Sequence, residues 1–427
     1  MDLIADLNGR GLIHDSTDQV ALAARLAEGR IGVYYGCDPT ADSLHVGNLI
    51  GLVVLRRFQD AGHHAIALAG GATGMVGDPG GRSEERNLLD ADTLAGNVAA
   101  IKQQISRIVD LGANADGVAR GELVDNRDWT APISLLEFLR DIGKHVTVNQ
   151  MIARDSVKNR LASEHGISYT EFSYMLLQAN DYLWLHDHRN CHLQVGGADQ
   201  WGNLISGVDL IRRARGAHVH ALAWPLLLAP DGSKLGKTTG ARTWLDAEKT
   251  SPYQLHQHFV NLSDAEVVQQ QRMLSLRPLD DVETLLADHA TAPEKRAAQR
   301  ALADELTELV HGAEASVAAR EAADVLFGGD PLTASEPAIR AIAGEVPTTR
   351  LSSDQIADPV DLLVTTGLAS SKSEARRLFD QRGIRANGVQ LDANSLVSDV
   401  ERLHGRFVLL RKGKSTYHVV EISSGGG

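Results

Sequence analysis

The chain has 427 residues, enough for two to four domains, and its 43% hydrophobic and 23% charged residues are typical of a soluble globular protein. We expect no membrane span and no secretory signal, because no apolar run approaches the ~18 residues of a span and the first residues lack the order of a signal peptide. Two cysteines are too few for a disulfide framework or a zinc site, and a reducing cytoplasm fits that number. The net charge of −13 argues against polyanion binding over the whole surface.

The first functional stretch is predicted to be a strand, a loop and a helix. An apolar run ends at Tyr34, the chain turns at Gly36 and at Asp38-Pro39, and a helix begins near His45-Val46-Gly47. A helix N-terminus presents free backbone N–H groups and a positive dipole end, which suit a phosphate. The alternative is an ordinary turn in which His45 only caps the helix, and these residues alone favour that alternative.

A glycine-rich segment follows the apolar strand predicted at 65–69. Residues 70–82 read GGATGMVGDPGGR, and Arg86 follows Arg82. The glycines indicate backbone that passes close to a group needing room, and the arginines suit phosphate oxygens. A flexible surface loop is the alternative. The G-x-G-x-x-G fingerprint of dinucleotide-binding folds does not occur here.

Strand and helix patterns alternate through the first half of the chain. Residues 90–111 have the pattern of a helix, 123–126 that of a strand and 133–141 that of a second helix. Alternation at this spacing predicts an α/β fold with a doubly wound parallel sheet, in which ligands lie at the carboxyl ends of the strands.

Three polar residues share one face of the helix predicted at 170–182. Tyr174, Gln178 and Asp181 stand at positions i, i+4 and i+7, and the apolar residues 175–177 lie between them. Polar side chains on a helix usually face solvent, but a polar stripe beside a core can also line a pocket. The pattern leaves both possibilities open.

Two further loops carry candidate nucleotide ligands. The strand predicted at 191–195 runs into GGADQWGN at 196–203, where Asp199 would pair with ribose hydroxyls or simply cap the next helix. Residues 229–240, APDGSKLGKTTG, resemble a Walker A loop but place Asp231 at the first glycine position. The two lysines of this loop would suit a phosphate clamp.

The remaining sequence is first helical and then a small mixed domain. Residues 251–328 are Ala-rich and helical, 371–374 (SKSE) form a capping box before a basic helix, and Asn387-Gly388 predicts a hairpin. From Asp358 to Glu421 there are ten Lys/Arg and eight Asp/Glu, or +2, which leaves −15 for the rest. Such a tail can contact nucleic acid, although a solvated face is the commoner explanation.

In this order the motifs resemble those of bacterial tyrosyl-tRNA synthetases, a family of class I aminoacyl-tRNA synthetases, over essentially the whole chain. His45-Val46-Gly47-Asn48 resembles the HIGH element, and Lys234-Leu235-Gly236-Lys237-Thr238 resembles the KMSKS loop. The segment 196–203 and the Tyr174, Gln178 and Asp181 face are similar to the family's adenylate and tyrosine motifs, and the C-terminal region looks like an S4-type RNA-binding domain. Four motifs in register are a strong signal.

The resemblance implies a tyrosine–tRNA ligase that forms tyrosyl-adenylate from tyrosine and ATP with Mg²⁺ and then charges tRNA(Tyr). It also implies a cytoplasmic homodimer without a tightly bound organic cofactor. The implied domains are a Rossmann-like catalytic domain at 1–225, a mobile KMSKS-type loop at 226–245, an α-helical anticodon-side domain at 246–340, a linker at 341–357 and an S4-like RNA-binding domain at 358–427.

The resemblance also implies roles for individual residues. Tyrosine would be bound by Tyr34, Asp78, Tyr174, Gln178, Asp181 and Gln200. ATP would be bound by Gly36, Asp38, Thr40, His45, Gly47, Asn48, Gly197, Asp199, Lys234, Lys237 and Thr238. The catalytic groups, which would grip the β- and γ-phosphates, are Thr40, His45, Arg82, Arg86, Lys234 and Lys237. Two residues depart from the family pattern: Asn48 stands where many relatives have His, and Tyr35 where a smaller residue can occur.

Two rival functions share the predicted fold. A tryptophanyl-tRNA synthetase is disfavoured by the Tyr34 and Asp181 pair and by the S4-like tail. A non-catalytic RNA-binding relative is disfavoured by the intact His45, Lys234 and Lys237.

Overall fold

The computed structural model describes residues 2–78, 89–162, 166–227, 242–352, 358–393 and 400–423. The chain divides into two compact units, one of Met1–Lys249 with Leu262–Leu302 and the other of Thr250–Asn261 with Ala303–Gly427. The domain boundaries predicted from the sequence stay predictions. Within 341–357, the segment predicted as a linker, the structure has the end of one helix and a β-strand.

The elements up to residue 224 are strands connected by one or more helices. They are α1 (Leu3–Gly9), β1 (Asp15–Ser16), α2 (Gln19–Glu28), β2 (Gly32–Cys37), α3 (Val46–Asp60), β3 (His64–Ala69), α4 (Thr73–Val76), α5 (Ala91–Ile108), β4 (Gly121–Asp125), α6 (Arg127–Thr130), α7 (Leu135–Glu137), α8 (Val148–Ile152), α9 (Asp155–Leu161), α10 (Tyr169–Arg189), β5 (Cys191–Gly197), α11 (Trp201–Arg215) and β6 (His220–Trp224).

The later elements are mainly helical until residue 345. They are α12 (Pro252–Val260), α13 (Asp264–Leu274), α14 (Leu279–Thr291), α15 (Ala297–His311), α16 (Ala313–Leu326), α17 (Glu336–Glu345), β7 (Thr348–Leu351), α18 (Pro359–Thr365), α19 (Lys372–Asp380), β8 (Ile384–Ala386), β9 (Val389–Gln390), β10 (Phe407–Lys412) and β11 (Thr416–Ile422). Single 3₁₀ turns lie at Gly143–His145, Ala198–Gln200, Pro293–Lys295 and Pro331–Thr333, and a π-helical turn lies at Phe138–Ile142.

The first unit is built on a six-stranded sheet in the order β1-β6-β5-β2-β3-β4. Strands β2 to β6 run parallel, and the short β1 pairs antiparallel with β6. The chain proceeds from β2 outward to β4 and then returns to the other side of β2 with β5. In a doubly wound sheet the ligand crevice opens where the strand order reverses, which here is at the carboxyl ends of β2 and β5. The predicted fold class is confirmed.

Helices pack on both faces of this sheet. Successive side chains of a strand point to opposite faces, so neighbouring residues of one strand contact different helices. Tyr34 of β2 lies 6.3 Å, ring to ring, from Tyr182 of α10. The next residue, Tyr35, contacts Gly51 of α3 on the other face. β6 is buried along its whole length, as expected for a strand covered on both faces.

Some predicted elements have different bounds in the structure. The helix predicted at 90–111 ends at Ile108, and the strand predicted at 123–126 is Gly121–Asp125. The helix predicted at 133–141 is a short α-helical turn that continues as the π-helical turn Phe138–Ile142. The helix begins close to the predicted residue, because Ser134 and Glu137 form a capping box there.

The second unit contains a five-stranded sheet in the order β7-β11-β10-β8-β9, in which β7 is parallel to β11. Alternate residues of β10 enter two cores: Phe407 and Leu409 pack with α16 and α17, and Val408 and Leu410 pack with α18 and α19. The predicted hairpin is confirmed, because Asn387 and Gly388, with φ of 47° and 83°, join β8 to β9.

No helix in the part of the chain that the structure describes combines the length and the hydropathy needed to cross a bilayer.

Candidate active site

A cavity of about 360 Å³ opens at the carboxyl ends of β2 and β5 in the first unit. Every predicted site residue that the structure describes lines it: Tyr34, Gly36, Asp38, Thr40, His45, Gly47, Asn48, Asp78, Tyr174, Gln178, Asp181, Gly197, Asp199 and Gln200. The other predicted site residues, Arg82, Arg86, Lys234, Lys237 and Thr238, lie outside the described residues. The fold therefore brings residues from four separate segments, 34–48, 78, 174–181 and 197–200, to one site.

The polar face of α10 lines the cavity and does not face solvent. Tyr174 and Asp181 are buried, with 5% and 1% of their surfaces exposed. Asp181 accepts hydrogen bonds from Asn126 Nδ2 at 2.9 Å and from Trp129 Nε1 at 2.8 Å, one on each carboxylate oxygen. Its two oxygens are thereby oriented, and each retains acceptor capacity toward the cavity.

The buried carboxyl group of Asp181 has an unusual affinity for a proton. Burial raises its pKa from an ordinary value of 3.8 to about 7, against the lowering effect of the hydrogen bonds from Asn126 and Trp129. Burial and the neighbouring charge of Asp181 also raise the pKa of Tyr34 well above its usual value. The Tyr34 phenol therefore stays neutral, and the pair offers one hydroxyl and one carboxylate at the same end of the cavity.

The middle of the cavity contains a hydrogen-bonded chain centred on Asp38. Its two oxygens accept from Tyr174 Oη at 2.8 Å and from Thr73 Oγ1 at 2.7 Å. Thr73 in turn accepts from Asn126 at 3.0 Å, which links this chain to Asp181.

Glycines make room for this chain. A Cβ on Gly70 would approach Asp38 Oδ1 to 2.3 Å and Thr73 Oγ1 to 2.4 Å. A Cβ on Gly71 would lie 2.2 Å from Asp125 Oδ1. For these two glycines the close-approach interpretation is correct, because backbone atoms pass directly against polar side chains.

A second carboxylate, that of Asp78, is hydrogen-bonded to Gln200 in the lining of the cavity. Gln200 Nε2 donates to Asp78 Oδ2 at 2.6 Å, and Asn203 Nδ2 donates to Gln200 Oε1 at 3.0 Å. Asp78 therefore adds a carboxyl group and Gln200 an oriented amide to the lining of the cavity.

The N-terminus of α3 forms the opposite end of the cavity. His45 is the N-cap residue, and its Nδ1 accepts from Gly47 N at 3.0 Å. Asn48 completes a capping box, because its Oδ1 accepts from His45 N at 3.1 Å. His45 thus caps the helix, as the alternative interpretation expected, and it also lines the cavity, while its contact with a phosphate stays a prediction.

The ring of His45 is a neutral donor. Burial, aided by the positive charge of Arg242, lowers its pKa from 6.5 to about 4. Since Nδ1 accepts a hydrogen bond from Gly47, the proton of the neutral ring lies on Nε2. His45 therefore offers an N–H group without a charge.

A short backbone pairing holds the cation Arg242 beside His45. Val46 N donates to Thr243 O at 3.1 Å, and Leu245 N donates to Leu44 O at 2.8 Å. The Arg242 guanidinium stacks 5.0 Å above the Trp244 ring, whose edge faces the His45 ring at 6.3 Å. Arg242 lines the cavity and adds positive charge at its α3 end.

Several of these groups escaped the sequence analysis. Asn126 and Trp129 come shortly after β4, which lies beside β3 in the sheet. Their place at the carboxyl end of a strand is the feature of the sequence that could have indicated them. Thr73 lay inside the glycine-rich segment already singled out. Gln194 and Arg242 also line the cavity, but they carry no motif of their own.

Comparison with known proteins identifies the class. The family described as class I tRNA synthetases (W and Y) matches residues 26–328, and the SYY-like C-terminal domain of tyrosine–tRNA ligase matches 338–420. The chain belongs to the class I tRNA synthetases of the W and Y family. The predicted family and the prediction of an aminoacyl-tRNA ligase are confirmed.

Individual relatives narrow the class further. The chain is 50% identical over 427 residues to a tyrosine–tRNA ligase of Opitutus terrae, covering 99% of this chain and 100% of that one. It is 48% identical to a tyrosine–tRNA ligase of Mycobacterium tuberculosis, covering 98% of each.

Solved structures show the same fold. A C-terminally truncated mitochondrial tyrosyl-tRNA synthetase of Aspergillus nidulans matches with a TM-score of 0.69 and 32% identity, over 76% of this chain and 94% of that chain. The tryptophanyl-tRNA synthetase of Plasmodium falciparum matches with a TM-score of 0.53 and 16% identity, over 73% and 84%, and this likeness concerns the fold alone.

Proposed function

We propose that this chain is a tyrosine–tRNA ligase that activates tyrosine with ATP and transfers it to tRNA(Tyr). The observation that carries the choice of amino acid is the buried pair Tyr34 and Asp181, with both Asp181 oxygens held by Asn126 and Trp129. A phenol entering between them would donate to Asp181 and accept from Tyr34. Phenylalanine would leave both groups unpaired in a buried place. Tyrosyl-tRNA synthetases are themselves the standard example of such discrimination, and the rejection of about 10⁵ is a general figure for that class of enzyme.

The other predicted tyrosine ligands suit the amino-acid end of the substrate. Asp78 and Asp38 carry negative charge, and Tyr174 and Gln178 add polar atoms beside them. We assign the ammonium group to Asp78, Tyr174 and Gln178, and the carboxylate to Gln200. On binding, the ammonium group would compete for the Asp38 and Asp78 oxygens that Tyr174 and Gln200 now occupy.

ATP would lie at the α3 end of the cavity. The positive end of the helix dipole, the Nε2–H of His45 and the guanidinium of Arg242 are all suited to phosphate oxygens. Asp199 would accept from ribose hydroxyls, with Gly197 leaving room for the sugar. Thr40 and the residues outside the described ranges, Arg82, Arg86, Lys234, Lys237 and Thr238, complete the proposed phosphate ligands. Mg²⁺ would enter with ATP as part of that substrate.

The first step needs no general base, because the tyrosine carboxylate is ionised at neutral pH. Its oxygen forms a bond to the α-phosphorus as the bond to the β-phosphate oxygen breaks, which yields tyrosyl-adenylate and pyrophosphate. The chain contributes position and charge: His45 donates a hydrogen bond and the cations stabilise the leaving pyrophosphate. In the second step a terminal ribose hydroxyl of tRNA attacks the adenylate carbonyl and AMP leaves.

Tyrosine-dependent exchange of pyrophosphate into ATP tests the activation step. We expect exchange with tyrosine, and with phenylalanine at least about 10⁴-fold less efficiently in kcat/KM. Exchange with tryptophan but not tyrosine would overturn the assignment in favour of the tryptophanyl rival. Failure to exchange with any amino acid would favour the non-catalytic RNA-binding relative.

We assign tRNA contact to the S4-like region, 358–427, within the second unit. Helix α19 presents Arg376 and Arg377 to solvent, and its N-cap Ser371 accepts from Glu374 N at 3.2 Å. The double substitution Arg376→Glu and Arg377→Glu should reduce tRNA charging at least about 10-fold while pyrophosphate exchange stays at the wild-type rate. Unchanged charging would remove α19 from the proposed tRNA surface.

We also propose a homodimer, formed through the apolar surface of 135–152. Leu136, Leu135 and Val148 expose 78%, 69% and 58% of their surfaces there. Exposed apolar side chains concentrated in one short segment mark a candidate protein interface, and a second copy is the partner that the family implies. Light scattering should give the mass of two chains for the wild type and of one chain for Leu136→Asp. Val20→Asp, at a residue that is 81% exposed on α2, is the matched control and should remain dimeric.

A further inference from the structure

Tyr35 follows the proposed tyrosine ligand Tyr34 in β2, but its side chain lies on the other face of the sheet. Residues next to each other in a strand point to opposite faces, so Tyr35 projects toward α3. Its exposed fraction is 9%, and it lines the α3 end of the cavity, near Asn48 and Asp199. The tyrosine site described above makes no use of this large side chain.

The ring of Tyr35 occupies a space that α3 leaves open at Gly51. An ideal Cβ on Gly51 would lie 2.2 Å from Tyr35 Cζ and 2.6 Å from both Cε atoms. Glycine inside a helix is unfavourable by about 1 kcal/mol relative to alanine. Gly51 lies within the first two turns of the 15-residue α3, where the contact with Tyr35 gives this glycine a packing reason.

A third side chain fixes the orientation of the ring. The edge of Tyr35 meets Trp224, with ring centroids 5.6 Å apart and planes at 61°. Trp224 ends β6, so Tyr35 is held between the first turns of α3 and the carboxyl end of the sheet. A ring enclosed in this way has one defined position for its phenol group.

The phenol group is linked to the first turn of α3. Burial raises the pKa of the Tyr35 phenol, hydrogen bonding with the Asn48 side chain lowers it by a smaller amount, and the Cys37 thiol also influences it, so both side chains lie beside the phenol group. The Oδ1 atom of Asn48 accepts from the backbone N–H of His45 at 3.1 Å. A hydrogen-bonded chain thus runs from Tyr35 through Asn48 to the residue that caps the helix.

We propose that Tyr35 is a positioning residue for the nucleotide, which holds Asn48 and the His45 turn in place, and that Gly51 provides the space this requires. The proposal deepens the proposed function, since it rests on ATP binding at the α3 end of the cavity. It also accounts for the two departures from the family pattern, because Tyr35 and Asn48 contact each other.

The conservative substitution Tyr35→Phe tests the hydrogen-bonded chain. It keeps the ring on Gly51 and removes the phenol oxygen alone. We expect KM for ATP in pyrophosphate exchange to rise about 2- to 10-fold, the effect of one hydrogen bond, while KM for tyrosine stays within about 2-fold of the wild type. An unchanged KM for ATP, or an equal rise in both KM values, would overturn the proposal.

A double-mutant cycle tests the space at Gly51. Gly51→Ala should raise KM for ATP about 5- to 100-fold, because the new methyl displaces the Tyr35 ring. Adding Gly51→Ala to Tyr35→Ala should cause no further loss, because no ring remains to be displaced. Additive losses would show that Gly51 acts independently of Tyr35 and would overturn this part of the proposal. Thermal melting of each variant shows that the compared proteins are folded.

Pyrophosphate exchange by the wild type distinguishes a failure of the proposed function from a failure of the positioning role of Tyr35. If it shows no tyrosine-dependent exchange, the proposed function itself fails. If it exchanges normally and the cycle is additive, only the positioning role of Tyr35 fails.

Discussion

The hydrogen bond from Trp129 to Asp181 should control how tyrosine binding depends on pH. Trp129→Phe removes the Nε1–H that lies 2.8 Å from Asp181 Oδ1 and keeps an aromatic ring against Trp184, with which Trp129 stacks at 4.2 Å. Tyrosine binding requires an ionised Asp181 if the substrate phenol donates to it. Losing a donor that stabilises the ionised form will raise the pKa of Asp181 further.

The size of the effect follows from the strength of that hydrogen bond. A hydrogen bond to a charged group contributes about 1.5–3 kcal/mol, or about one to two pKa units. If the pKa moves from about 7 to about 8–9, the ionised fraction at pH 7.5 falls from about three quarters to between about a quarter and about 3%. KM for tyrosine should therefore rise about 3- to 25-fold at pH 7.5.

The assay is pyrophosphate exchange at several pH values, with KM determined for tyrosine and for ATP. The tyrosine defect should shrink toward pH 9, where Asp181 ionises in both proteins, and KM for ATP should not change. Trp184→Phe is the control, because it alters the same stack without touching Asp181. A tyrosine defect of equal size at all pH values, or one shared by Trp184→Phe, would refute the electrostatic role of Trp129.

Three further predictions concern other groups. His45→Asn keeps an N-cap residue and should melt near the wild type, yet it loses the Nε2–H and should slow adenylate formation about 100-fold in a single-turnover assay with unchanged tyrosine affinity. Arg242→Ala should raise KM for ATP roughly 10-fold or more while Arg242→Lys retains most activity, and an unchanged KM would exclude a phosphate contact. Burial lowers the pKa of His192 to about 4, below its ordinary 6.5, so the folded state binds fewer protons than the unfolded state between these values. The urea midpoint should therefore fall as the pH is lowered through that window, and His192→Gln should flatten the dependence.

The sequence was sufficient for those parts of the site that follow local periodicity. The spacing of Tyr174 and Asp181 places them on one helix face whatever the rest of the chain does. The turn before His45 was equally visible, because a strand, a loop and a helix follow each other within a few residues.

Contacts between distant segments could not be predicted in this way. Trp129 and Asp181 are 52 residues apart, and their hydrogen bond depends on how the end of β4 meets α10. The space at Gly51 is likewise visible only when the Tyr35 ring is placed against it. An isolated glycine in a helix pattern lowers the expected helix stability and gives no hint of its partner.

The pairing of β2 with its neighbours sets a limit on how this enzyme can vary in length. Tyr34 and Tyr35 are paired with Ile66 and Ala67 of β3, and their side chains emerge on opposite faces. One inserted residue before Tyr34 would turn every later side chain of β2 to the other face of the sheet. The Tyr34 ring would then point toward α3 and the Tyr35 ring toward α10. A library of single-residue insertions should therefore lose all activity within β2, whereas the connection between α5 and β4 should accept them.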